Sequence, residues 1–144
     1  MSHEEHFRKL ERMYQSAPFN SVFSPTLLVS QGRAVVTLPV RRGLFHAAGA
    51  LHGSVYFKAM DDAAFFACAS LVTDVFVLTA SYEVELLRPV TGGEITAIGR
   101  VHASDERSFL ADARLYDSQE QEVGRGRGRF VRSRIPLGPE VGYR

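Results

Sequence analysis

The segment Leu51 to Ala63, LHGSVYFKAMDDA, puts a His-Gly-Ser turn ahead of an apolar stretch and sets two carboxylates, Asp61 and Asp62, in the middle of that stretch. A carboxylate among apolar neighbours loses much of its solvation unless it is paired or kept near neutral, and such positions favour proton transfer or nucleophilic attack. A helix starting at Gly53-Ser54 would present unpaired backbone N–H groups and the positive end of its dipole, an oxyanion site that the missing Cβ of Gly53 leaves open to a ligand. Asp61 then lies about 12 Å further along the same helix. One bound carbonyl cannot reach both groups, so the spacing predicts an active site shared between two subunits. Asp62 points about 100° away from Asp61 on the helix and is its rival.

Other candidate chemistries are weaker. His3, His6, His46, His52 and His102 are scattered, with no HExxH and a single cysteine, Cys68, so no metal site is expected. The run Gly124-Arg-Gly-Arg-Gly-Arg129 lacks the spacing of a P-loop or dinucleotide fingerprint, and no GxSxG elbow is present. Read as a strand, that run places Arg125, Arg127 and Arg129 on one face and three glycines on the other. Three guanidiniums in a row suit phosphates, or form an exposed face that discourages edge pairing. Arg88, before a turn proline, is either a solvated charge or a further phosphate contact. His52 either orients its loop through hydrogen bonds or transfers a proton.

The elements that must hold these residues can be read from pattern. Phe7, Leu10, Met13 and Tyr14 recur at helical spacing, giving an amphipathic helix over about 4–16 that Pro18 ends. Thr26 to Ser30 and Arg33 to Val40 read as two strands joined at Gln31-Gly32. A small-residue loop, Arg41 to Gly49, leads to the one long helix, from about Ser54 to Leu71. Four strands follow, Val75 to Leu87, Glu94 to Ala103, Ser108 to Asp117 and Glu122 to Arg132, with turn signals between them that predict an antiparallel meander of three hairpins. The fold class is α+β, an antiparallel sheet wrapped around one long central helix. Val55, Phe57, Phe65, Phe66 and Leu71 are expected in its core or lining an apolar tunnel. Residues from about 135 to 144, with Pro136, Gly138, Pro139 and Gly142, read as a flexible tail unless a neighbouring subunit holds it.

With 144 residues, 45% hydrophobic and 23% charged, the chain has the size and composition of a single globular domain, 1–144, rather than a disordered or fibrous one. A net charge of +1 argues against non-specific nucleic-acid binding. One cysteine within an apolar run reads as a buried, inert thiol in a reducing setting. The charged N-terminus lacks a signal-peptide core and no apolar run reaches membrane-spanning length, so a cytoplasmic protein without membrane partners is expected.

The residues His46-Ala-Ala-Gly49-Ala-Leu-His52-Gly53-Ser54, with Asp61 nine positions after His52, resemble the hotdog-fold acyl-CoA thioesterases of the phenylacetyl-CoA thioesterase (PaaI-like) type. The downstream segment TASYEVELLRPVTGGEITAIGRV, Thr79 to Val101, is similar to that family's strand, Arg-Pro turn and next strand, and the likeness extends over roughly residues 20 to 132. The resemblance implies a hotdog fold, hydrolysis of an acyl-CoA thioester without a separate cofactor, and a homodimer or homotetramer. It implies that Asp61 serves as nucleophile or general base, that the Gly53 or Ser54 N–H holds the thioester carbonyl, and that Thr79 helps position water. Two departures stand out: His46 where many relatives have Asn, and Ser54 where the second glycine of HGG would be. His46 keeps open a non-catalytic acyl-CoA-binding or sensing protein on the same fold. A hotdog dehydratase would need acid–base patterns that the chain lacks.

Overall fold

The computed structural model describes all residues, Met1 to Arg144. The order of elements is α1 (His3–Ser16), β1 (Thr26–Ser30), β2 (Arg33–Pro39), α2 (Gly53–Ala69), β3 (Val75–Leu86), β4 (Glu94–Ser104), β5 (Ser108–Tyr116) and β6 (Glu122–Pro136), with short 3-10 turns at Pro18–Ser21, Arg42–Leu44 and Pro139–Val141. Six antiparallel strands form one sheet in the order β1-β2-β4-β5-β6-β3, curled around α2 in hotdog fashion.

The composition of α2 explains how the sheet can close on it. Ala59, Ala63, Ala64, Ala67 and Ala69 are all buried, and small side chains let helix and sheet backbones come close. Nearest of all is Gly99 of β4, where even a Cβ would collide with the Ala63 backbone. Met60, Phe66, Ile95, Leu115 and Phe130 fill the remaining space. Phe66 and Val55 are buried as expected. Leu71 and Phe57 are not: α2 ends at Ala69 and Leu71 lies beyond it, while Phe57 sits on the open flank of the helix, and both are exposed. Beyond the first residue, Gly53, only Ser54, Phe57, Asp61 and Phe65, one stripe at helical spacing, together with Asp62 beside them, escape full burial along the helix flank.

The β1–β2 hairpin turns at Gln31-Gly32, with Gly32 at φ 69°, where a glycine carries no steric penalty. The expected meander needs one correction. β4, β5 and β6 are consecutive neighbours, but β3 pairs with β6 at the far edge and not with β4. The segment 87–93 is therefore a crossover and not a hairpin turn. It leaves β6 where Leu87 N–H donates to the Val123 carbonyl, passes the loop before α2 where Leu51 N–H donates to the Val90 carbonyl, and reaches β2 where Val40 N–H donates to the Gly93 carbonyl. Strand alternation fixes which face a residue takes and says nothing about which strand lies beside it.

The two edges of the sheet differ. On β1, Val29 N–H donates to Glu11 Oε2 at 2.9 Å and its carbonyl accepts from Arg8 at 3.0 Å, so α1 occupies the middle of that edge. The free edge of β3 carries no such contacts.

The C-terminal segment is also corrected, because the chain itself holds it. Leu137 N–H donates to the Asp74 carbonyl, Tyr143 is buried against α1, and its hydroxyl lies 2.7 Å from His6 Nδ1. The glycines and prolines that suggested a loose tail instead shape a tight turn, with Gly142 at φ 86°.

Candidate active site

The half-covered flank of α2 faces an apolar cleft of about 710 Å³, which contains Asp61, Asp62 and Thr79 together with Phe65, Phe66 and Phe76. Thr79, on the inner face of β3, donates to Asp61 Oδ1 at 2.9 Å. Burial pushes the Asp61 carboxyl up from 3.8 to about 6; the Thr79 hydrogen bond and the Lys58 cation hold it back, and the neighbouring Asp62 charge adds to the rise. A carboxyl in that range is ionised at neutral pH yet still basic enough to take a proton from water.

Asp62 is engaged elsewhere. Its Oδ2 accepts from the Tyr14 hydroxyl at 2.6 Å and from Lys58 Nζ at 2.5 Å. Lys58 in turn donates to Asn20 Oδ1 at 2.6 Å and lies 5.0–5.3 Å from the ring centroids of Tyr14, Phe19 and Phe23. This buried cation is what makes a second carboxylate tolerable one residue from the first. Each carboxylate keeps one oxygen without a partner, but Asp61 is held by a single neutral donor, whereas Asp62, bound by a cation and a hydroxyl through Oδ2, anchors the N-terminal segment to α2. The i, i+4 spacing of Lys58 and Asp62 inside an apolar helix was the available signal for this network, and it was not read from sequence.

At the start of α2 the cap is a histidine ring. His52 Nδ1 accepts from the Ser54 N–H at 3.1 Å and lies 2.8 Å from the Ser54 hydroxyl, which assigns the proton of the neutral ring to Nε2. The Ser54 amide is therefore occupied, and the Gly53 N–H is the open donor. A Cβ on Gly53 would sit 2.9 Å from Leu86 Cδ1. His46 holds its own loop, its Nδ1 accepting from the Ala48 N–H at 3.1 Å. The crossover brings Arg88 to the same place: its carbonyl accepts from the Tyr56 hydroxyl at 2.6 Å, and Arg88, His46 and Gly53 line one small recess of about 270 Å³.

Within one chain this recess and the Asp61 cleft share no lining residue. The structure thus gathers Gly53, Ser54, His52, His46 and Arg88 at one end of α2, and Asp61 with Thr79 at its middle.

The arginines of β6 face outward in different company. Arg125 donates to Glu122 at 2.5 Å. Arg127 stands in register between Glu83 and Asp112, and Arg129 between Ser81 and Leu110, which leaves Arg129 without an acidic cross-strand neighbour. The glycines opposite them have a packing role: Cβ atoms on Gly126 and Gly128 would collide with the Tyr82 ring, which lies across both. The Tyr82 hydroxyl is buried there without a hydrogen-bond partner.

No group of three or more His, Cys, Asp or Glu is gathered closely enough to hold a metal ion, and no helix is long and apolar enough to cross a membrane.

The chain is similar in sequence and fold to known proteins. The sequence pattern of the Thioesterase superfamily matches residues 48–123, just over half of the chain and including the whole of α2. A protein of Saccharolobus solfataricus named "Putative esterase SSO1253" is 26% identical over 121 residues, 84% of this chain and 81% of its own. Among solved structures, the E. coli PaaI protein from the phenylacetic acid degradation operon superposes with a TM-score of 0.84 at 21% identity, covering 92% of this chain and 96% of that one. A conserved protein from Pseudomonas aeruginosa gives 0.77 at 25% identity, covering 81% and 94%.

Proposed function

The chain belongs to the thioesterase superfamily, and from that premise we propose that it is an acyl-CoA thioesterase, releasing CoA and a carboxylic acid at a site built from two copies of the chain. The observation that carries this reading is Asp61: a carboxylate in an apolar cleft, raised to about 6, held by one hydroxyl and otherwise free. The Gly53 N–H of one subunit polarises the thioester carbonyl, and the partner copy supplies Asp61, as nucleophile or as general base toward water. Attack on the carbonyl carbon breaks the C–S bond, the CoA sulfur leaves as thiolate, and water supplies the oxygen of the acid. Thr79 orients the Asp61 carboxylate, while His52 and His46 set the loop that presents Gly53.

The homodimer forms by pairing of the bare β3 edges, which sets two α2 helices side by side and antiparallel. Arg88 and Arg129, the two candidate arginines without an ion pair or an acidic neighbour in register, are the ones assigned to CoA phosphates.

Two experiments test the reading. Thiol release over a panel of acyl-CoAs should show turnover that Asp61→Asn abolishes; unchanged turnover refutes the role of Asp61, and tight binding without release identifies a non-catalytic binder. Mixing inactive Asp61→Asn with inactive Gly53→Val should restore about a quarter of wild-type activity, because half of randomly paired dimers carry one intact site. Absence of any restoration refutes the shared site.

A further inference from the structure

The cleft that holds Asp61 is walled mainly by the two ends of the chain. More than half of its lining residues come from Met13 to Asn20 and from Pro139 to Arg144, segments that both lie outside the superfamily match at 48–123. The parts bearing the chemistry thus lie within the shared region, and the parts bounding the space lie outside it.

Both walls are fastened, by different means. The N-terminal wall is tied by the buried Lys58 ammonium, which holds Asn20 and sits among three aromatic rings. The C-terminal wall rests on one buried aromatic residue. His6 Nε2–H donates to the Ala69 carbonyl at 2.9 Å, leaving Nδ1 to accept from the Tyr143 hydroxyl at 2.7 Å. Beside it the Gly142 backbone packs on Met13 and Ser16, and Arg12 Nε donates to the Arg144 carbonyl at 2.6 Å. Val141, with Pro139 beside it, is the larger apolar contact that this turn contributes to the cleft, next to Glu140 and Arg144.

We infer that the C-terminal turn, residues 139–144, is the specificity-determining wall of the acyl cavity, setting the longest acyl group that the site accepts, with Val141 as the contact and Tyr143 as its fastening. This rests on the proposed thioesterase reading, since it takes the Asp61 cleft to be the acyl cavity. The buried part of this fastening, Tyr143 on His6, is neutral, and its one charged contact, Arg12, is exposed, so this wall can be moved without exposing a buried charge. The segment is short and terminal, so its removal opens the cavity while leaving β6 and the sheet in place.

The test compares wild type, Val141→Ala, Tyr143→Phe and a chain ending at Leu137. Each is assayed for kcat/KM over straight-chain acyl-CoAs from butyryl to palmitoyl, with thermal melting to establish folding. The expected result is a preference that moves to longer chains, with the long-to-short ratio rising about tenfold or more in the shortened chain and by less in the two point variants. An unchanged ratio in a folded shortened chain and in Val141→Ala overturns the inference. A parallel titration with non-hydrolysable S-alkyl-CoA thioethers of the same lengths reads the wall without catalysis. If wild type hydrolyses nothing, the enzymatic reading fails, while a shift toward longer thioethers in the variants still supports the wall and its absence overturns it.

Discussion

Replacing Asp61 by Asn should remove activity and at the same time make the protein more stable, by an amount that depends on pH in a defined way. In the folded chain burial raises the Asp61 carboxyl from 3.8 to about 6, so between those values the folded protein keeps a proton that the unfolded chain has released. Stability contributed by this group is complete below the unfolded value and is lost as pH rises through the folded one. Above about pH 7 the ionised side chain costs about 3 kcal/mol relative to a neutral one. Asn is nearly isosteric, and its carbonyl oxygen still accepts the Thr79 hydroxyl, so it removes the charge and little else. Urea unfolding of both proteins should give an advantage for Asp61→Asn that grows from about 1 kcal/mol at about pH 4.5 to about 3 kcal/mol at about pH 7.5. Equal stability at neutral pH would refute the claim that the fold holds this carboxylate against its solvation. An advantage independent of pH would show that packing, not charge, was responsible.

Removing the Thr79 hydroxyl with Thr79→Val takes away the hydrogen bond that holds the Asp61 carboxyl down, so the rising limb of the pH–rate profile should move above about pH 6, with activity recovered in more alkaline buffer. Lys58→Met should destabilise by about 3–5 kcal/mol because Asp62 is left buried without its cation, and the double variant with Asp62→Asn should be less unstable than Lys58→Met alone in chemical denaturation. Tyr82→Phe should raise stability by about 1 kcal/mol, read as a higher melting temperature, since the buried hydroxyl has no partner to lose.

The long helix was legible because seventeen residues of near-continuous apolar character have few other uses, and the β1–β2 hairpin because Gly32 marks its turn. The position of β3 was not, because a seven-residue connection can turn back or cross over, and only the packing of the sheet around α2 chooses between them. The acidic pair could be singled out by type and place in the helix, and Asp61 within it only through the family resemblance, while the physical difference between Asp61 and Asp62 depends on Tyr14 and Lys58, the former 48 residues distant from Asp62 in sequence. The role of Tyr143 was hidden for the same reason: a terminal tyrosine among glycines and prolines shows no period, and its partner His6 lies 137 residues away.

The occupation of the β1 edge by Glu11 and Arg8 bears on how many copies can join. A sheet with two bare edges has a valence of two and can add strands without end, the route to fibres. Filling the backbone groups of Val29 takes the middle of the β1 edge out of reach of another strand, so a dimer joined at β3, as proposed, would leave each partner no wholly bare edge along which the sheet could grow.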